Sequence, residues 1–366
     1  MSKIELTIAP NYVPTWTIVD AIRELFQNAL DQQKQNPENV ASWDYDEETE
    51  TFTIRNATSK LTAASLLLGQ TSKADDKSTI GQFGEGYKIA TLVLLRNNKN
   101  VVFYNYGARE IWRPRFVKSR RFGTDILTFF TEKPAIWEKV PSADLVITVE
   151  GITADEYQEI VESNLHLRTD YKVVEHTTFG DIIDLPGRVY VNGLYVCDFT
   201  PYEYGYNFKP EHIRLDRDRK MVSDFDLRWM ASQMWSNSEN NDKVLELIAS
   251  DKADVAFIKD MYAGRKWRDI AADKFYLVYG KEAVPVSTQE ELEKVPTGYK
   301  GIVVSDNYKA LITSSSKYVK PVDNSNEDPE PLDELQDWFN SIKSKLDSDE
   351  IEQFEAIKDD LEDAYR

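Results

Sequence analysis

The stretch Arg23-Glu24-Leu25-Phe26-Gln27-Asn28-Ala29-Leu30-Asp31 decides the reading of this chain. It sits within residues 15–34, where Ile18, Val19, Ile22, Leu25, Phe26, Ala29 and Leu30 recur at helical spacing and predict an amphipathic helix. At about 100° per residue, Glu24, Asn28 and Asp31 fall within an arc of roughly 60° nearly opposite that stripe. Any surface helix carries a polar face, so the arc acquires meaning only from what accompanies it.

What accompanies it is Gly81-Gln82-Phe83-Gly84-Glu85-Gly86, a G-x-x-G-x-G run leading directly into the apolar segment 87–96. Glycines there let the backbone approach a phosphate with its N–H groups turned inward. The N-terminus of the following helix favours an anion, and Lys88 adds positive charge. Two other phosphate-binding patterns are absent: there is no G-x-x-x-x-G-K-[ST] loop, and no G-x-G-x-x-G after a first strand.

Taken together, these motifs resemble the GHKL superfamily of gyrase, the ninety-kilodalton heat-shock chaperones, histidine kinases and MutL. Residues 23–31 look like its N-box, Leu68-Gly69-Gln70-Thr71-Ser72-Lys73 like the start of its lid, and Ile80–Lys88 like its second glycine box. The resemblance implies an ATP site with Mg²⁺. Glu24 would be the general base, Asn28 the metal ligand, and Asp31 a neighbour in the same pocket. Gly81, Gln82, Phe83, Gly84, Glu85, Gly86, Tyr87 and Lys88 would surround the phosphates. Thr71 and Lys73 would belong to a lid over residues 69–80. One departure stands out. The usual first glycine box is D-x-G-x-G, with an Asp that reads the adenine amino group, whereas this chain has Asn56-Ala57-Thr58-Ser59-Lys60-Leu61. Asn can accept as well as donate, so adenine, guanine and a degenerate pocket all stay open. The usual Gly-Thr before the last strand is replaced by Ser142-Ala143-Asp144.

The resemblance implies an α+β fold. A GHKL (Bergerat) α/β sandwich over 1–168 would be followed by a transducer-like α/β domain over 169–320, a linker at 321–331 and an acidic helical tail at 332–366. Within the second domain, Val189-Tyr190-Val191-Asn192-Gly193 predicts a hairpin with an Asn-Gly turn. Leu215–Met221 resembles the chaperone segment that brings an arginine to the γ-phosphate, which places that role on Arg219. Residues 61–68 are expected to be a short helix, and Ser287 with Glu290 a capping box. The functional expectation is a slow ATPase whose ATP-bound form closes the lid and dimerises, acting as a conformational switch. The alternatives are a non-hydrolysing nucleotide-gated module and an ATP-gated nucleic-acid clamp. Trp112–Arg121 motivates the clamp, because five of its ten residues are basic and aromatics lie among them.

Composition bounds these readings. The chain has 366 residues, 41% of them apolar, enough for more than one core. Its net charge is −19, but residues 323–366 hold sixteen acidic and four basic side chains, leaving −7 for the rest. A uniformly basic nucleic-acid surface is therefore excluded, while a local patch is not. One cysteine rules out an intrachain disulfide framework. The histidines, His166, His176 and His212, are too scattered for a zinc motif. No long apolar run suggests a signal peptide or a membrane span, so the expected setting is the cytoplasm, with a protein client or nucleic acid as further partner.

Overall fold

The computed structural model describes residues 2–66, 86–133, 143–213, 223–261, 263–322 and 331–365. Helix α1, Ile18–Gln35, begins at a capping box: the Thr17 hydroxyl accepts from the Asp20 N–H, and the Asp20 carboxylate accepts from the Thr17 N–H. Its apolar stripe (Ala21, Ile22, Leu25, Phe26, Ala29) is buried. Helix α2, Gly86–Arg96, is apolar nearly all round and accordingly buried from Ile89 to Leu94.

Both helices pack on a sheet built from β1 (Ser2–Glu5), β2 (Ala41–Asp46), β3 (Thr51–Asn56), β4 (Asn100–Asn105), β5 (Glu110–Lys118), β6 (Asp125–Glu132) and β7 (Leu145–Glu150). Among the described residues the order is β1-β6-β5-β4-β7-β3-β2, with every pairing antiparallel. Helix α3, Ala154–Glu162, has its own capping box at Thr153 and packs on α1. The core is aromatic: Phe26 meets Trp43 at 4.9 Å and Phe52 at 5.8 Å, and Phe103 meets Phe129 at 5.7 Å.

A second sheet follows, formed by β8 (Val173–Thr177), β9 (Gly180–Ile183), β10 (Arg188–Val191), β11 (Leu194–Asp198) and β12 (Gly205–Phe208), in the order β11-β10-β12-β9-β8. The Asn192-Gly193 turn between β10 and β11 has positive φ at both residues, 51° and 79°, as a tight hairpin turn requires. Helices α4 (Asp224–Ser236) and α5 (Asn241–Ala249) come next. The buried Asp254 carboxylate ties this region together, accepting from the Glu203 and Tyr204 N–H groups and, at 2.5 Å, from the Tyr206 hydroxyl. The Tyr206 oxygen in turn accepts from the Trp235 indole N–H at 2.8 Å.

Two compact units result: Met1–Ile248 with Lys252–Gly264, and Ala249–Asp251 with Arg265–Arg366. Both sheets lie in the first, and residue 168 falls between them, inside that unit. The second unit contains α6 (Lys266–Tyr279), the parallel pair β13 (Ala283–Val286) and β14 (Lys300–Val303), α7 (Gln289–Glu293), α8 (Asp306–Thr313), α9 (Pro331–Ile342) and α10 (Ser348–Tyr365). Phe339 of α9 stacks on Phe354 of α10 at 3.7 Å.

Two local expectations are corrected. The segment expected to be helical over 61–68 forms only a 3-10 turn at Ala63–Leu66 among the described residues, because Asn105 captures both backbone groups of Leu61. The cap of α7 is Thr288, one residue later than expected. Ser287 is still leaving β13 and donates through its N–H to Glu291 at 2.8 Å, not Glu290.

Candidate functional site

The polar arc of α1 is not solvated. Glu24, Gln27 and Asp31 are each only 2% exposed and Arg23 9%, while Asn28 is partly exposed. Buried polar groups on a helix are the informative kind. Arg23 lies between two carboxylates, 3.5 Å from Asp20 and 3.8 Å from Glu24, with its guanidinium 5.8 Å from the Trp16 ring centre.

Opposite this face stands Gly86, the first residue of α2. A Cβ there would come within 2.6 Å of the Asn28 amide nitrogen and 3.0 Å of the Glu24 carboxylate. The α2 backbone thus touches the two polar side chains of α1, an approach open only to glycine. The Asn28 Nδ2 donates to the Glu24 carbonyl at 2.8 Å, which leaves its Oδ1 without a part in that bond. Tyr87 follows. Burial pushes its hydroxyl well above the usual tyrosine range, and the negative charge of Asp31 adds to the effect. Lys88 is completely buried.

Asn56 closes β3 on the helix-facing side, in line with Phe52 and Ile54. Its Nδ2 donates to two backbone carbonyls, Ala29 of α1 and Asn39, both at 3.0 Å. Its register partner on β7 is Leu145, which in turn faces Asn105 on β4. Two buried asparagines therefore flank Leu145 at one end of the sheet. Asn105 accepts from the Leu61 N–H at 3.1 Å and donates to the Leu61 carbonyl at 2.8 Å. Asp144 accepts from the Thr58 N–H at 3.0 Å and pairs with Arg55, while Thr58 takes a positive φ of 48°. Side chains from Asn105 in β4 and from Asp144, just before β7, thus hold the loop over 57–61.

The described residues thus bring Glu24, Asn28 and Asp31 of the middle of α1 together with Gly86 and Tyr87 at the start of α2, and place Asn56 and Leu61 at the end of the sheet. Thr71, Lys73, Gly81, Gln82, Phe83, Gly84 and Glu85 lie outside the described residues, as does Arg219. Sequence reading missed Asn105 and gave Asp144, noted only within Ser142-Ala143-Asp144, no role. The first had a signal, since Val101, Phe103 and Asn105 alternate and an asparagine on the core side of a strand needs partners. The second had none, because its partners lie more than 80 residues away. A cavity of about 320 Å³ adjoins Leu61, lined also by Lys60, Glu110, Trp112 and Thr131. Among the described residues no helix is long and apolar enough to cross a membrane.

No protein-family model matches the chain. An uncharacterized protein of Mycoplasma pneumoniae is 24% identical over 232 residues, covering 61% of this chain and 92% of that protein. Among solved structures, the chain is similar to the ATPase region of Saccharomyces cerevisiae topoisomerase II, with a TM-score of 0.32 and 10% identity over 49% of this chain. The same region bound to ICRF-187 (dexrazoxane) gives a TM-score of 0.29 at 10% identity. The chain spans 62% of the length of each of these structures.

Proposed function

We propose that the first unit binds ATP with Mg²⁺ and hydrolyses it slowly, Glu24 serving as general base. The observation that carries this reading is the contact of Gly86 with Glu24 and Asn28, in which a bare backbone at a helix start meets a buried carboxylate and an amide. A helix N-terminus with no side chain in the way suits a phosphate. A carboxylate beside it suits removal of a proton from an attacking water. Asn28, its nitrogen engaged with the Glu24 carbonyl, offers an oxygen suited to a hard cation. Mg²⁺ held there would neutralise phosphate charge.

The Asn56 geometry supports adenine over guanine. With both amide hydrogens on backbone carbonyls, the side chain meets a base through its oxygen. An oxygen acceptor matches the adenine amino group and opposes guanine O6. On this reading residues 69–80 close over the nucleotide, Arg219 stabilises charge on the γ-phosphate, and the closed form dimerises. Residues 1–168 then form the nucleotide-binding part and 169–320 the transducer.

The test is a melting-temperature panel with Mg²⁺ plus ATP, GTP or a non-hydrolysable ATP analogue. ATP and its analogue should raise the melting temperature and GTP should not, since ligand binding to the native state must stabilise it. Glu24→Ala should keep the ATP shift and lose phosphate release. Absence of any ATP shift would sink the proposal.

A further inference from the structure

We propose that the β5–β6 hairpin is a binding surface for single-stranded nucleic acid, a reading independent of nucleotide binding by α1 and α2. Five of the ten residues 112–121 are basic and none is acidic, in a chain of net charge −19. In the fold, Arg113, Arg115, Lys118, Arg120 and Arg121 are all exposed. Arg113 pairs with Glu132 at 3.3 Å, and Lys118 stands opposite Asp125 in the register. Among the described residues, Arg115, Lys118, Arg120 and Arg121 form no ion pair, which leaves four cations to meet external anions.

Arg113 and Arg115 form a short row that leads towards the tip of the hairpin. They share one face of β5, about 6.6 Å apart at a strand rise of ~3.3 Å per residue. Lys118, three residues on from Arg115, ends the strand on its other face, and Arg120 and Arg121 follow in the turn. That turn is closed by the Ser119 N–H donating to the Thr124 carbonyl and the Gly123 N–H donating to the Ser119 carbonyl, both at 2.9 Å. The tip residues are therefore presented on a hydrogen-bonded loop.

Flat groups accompany the charges. Phe122 at the tip is 49% exposed, with the Arg121 guanidinium 5.4 Å from its ring centre. Arg115 lies 3.9 Å over the Phe130 ring. Exposed aromatic and guanidinium planes beside a cationic row are what a flexible strand with accessible bases requires, the phosphates meeting the row and the bases stacking. A duplex hides its base faces and would use only the charges. Most of the negative charge, −12 of −19, belongs to residues 323–366, so the repulsion intrinsic to the rest of the chain is modest.

The test is fluorescence anisotropy of the full chain with a labelled, mixed-sequence DNA single strand about 20 nucleotides long, titrated between about 50 mM and about 200 mM salt. Binding should weaken steeply with salt. The triple variant Arg115→Gln/Arg120→Gln/Arg121→Gln should bind at least about tenfold more weakly, with a log–log salt slope shallower by about 2, at ~0.7 per phosphate contact. Phe122→Ala should lose about fivefold or more and leave the slope unchanged. If the triple variant melts early, Arg120→Gln/Arg121→Gln, confined to the turn, replaces it. The proposal is overturned if the wild type does not bind at the lower salt, or if neutralised variants bind equally well. It is also overturned if a duplex binds as tightly with Phe122→Ala neutral, or if phosphatidylserine vesicles are retained while the oligonucleotide is not.

Discussion

Asn56 holds two carbonyls that an aspartate would repel, and this sets its substitution apart from the rest of the site. Asn56→Asp leaves the Ala29 and Asn39 oxygens facing a carboxylate in a place only 2% exposed. A loss of about 2–5 kcal/mol is expected from stranded buried acceptors and an added charge, read as a lower denaturant midpoint. An unchanged midpoint would refute the bracing role. At Gly86, alanine must displace the Asn28 amide or the Glu24 carboxylate, so Gly86→Ala should abolish the ATP-dependent rise in melting temperature. The overpacking itself should cost about 1–3 kcal/mol. His166 carries a pH prediction. His166 keeps an exposed edge, but desolvation of its ring against the Asn192-Gly193 turn pushes the imidazole below the ordinary value, against a smaller opposing effect of the Asn192 carbonyl 2.9 Å from Nε2. A depressed pKa means that the neutral ring's contribution is present above about pH 6.5 and is lost as pH falls through the depressed value. The melting temperature should therefore drop on acidification, and His166→Phe should flatten that drop.

Among the elements, those with a strong period were legible and those defined by a distant partner were not. Helices α1 and α2, strand β3 and the β10–β11 hairpin follow from stripe, alternation and the Asn-Gly turn. Strand β2 had its signal in Ala41, Trp43 and Tyr45 alternating with Ser42, Asp44 and Asp46, but its acidic outer face disguised it. Strand β1 is four residues long and exists through β6. The turn after Leu61 shows local propensity losing to a tertiary bond: 61–68 reads as helix in sequence, but Asn105 fixes Leu61. Asn105→Ala should release that backbone, and hydrogen exchange at the Leu61 amide should accelerate. If exchange there is unchanged, Asn105 does not set the loop. The same contrast holds for the site. Glu24, Asn28 and Gly86 were readable because a helical face and a glycine run are local patterns. Their burial and mutual contact belong to the fold, as does the answer to what Asn56 does with its amide.

At the scale of the molecule, the two sheets share one unit for a visible reason. Leu194 of β11 belongs to the core of the first sheet, and the Leu165 N–H donates to the Gly193 carbonyl at 2.8 Å. The Tyr195 N–H donates to the Ser163 carbonyl, and the Tyr190 hydroxyl to that of Glu162. A chain cut after residue 168 should thus be less stable to denaturant than one ending at 264, which should unfold cooperatively. Equal midpoints would show that the sheets are energetically separate. The turn at Asn192-Gly193 has a bearing on the chemical ageing of the protein. In an open chain, the glycine nitrogen of such a dipeptide attacks the asparagine side-chain carbonyl, releasing ammonia and closing a succinimide ring, which water then opens to aspartate or isoaspartate. Here the Gly193 N–H is held by the Asn207 side-chain oxygen at 2.7 Å, and His166 closes over the glycine. Deamidation at this turn should be slow while the hairpin is intact and should speed up once it opens, so that isoaspartate at position 192 would record how much of its life a sample has spent unfolded.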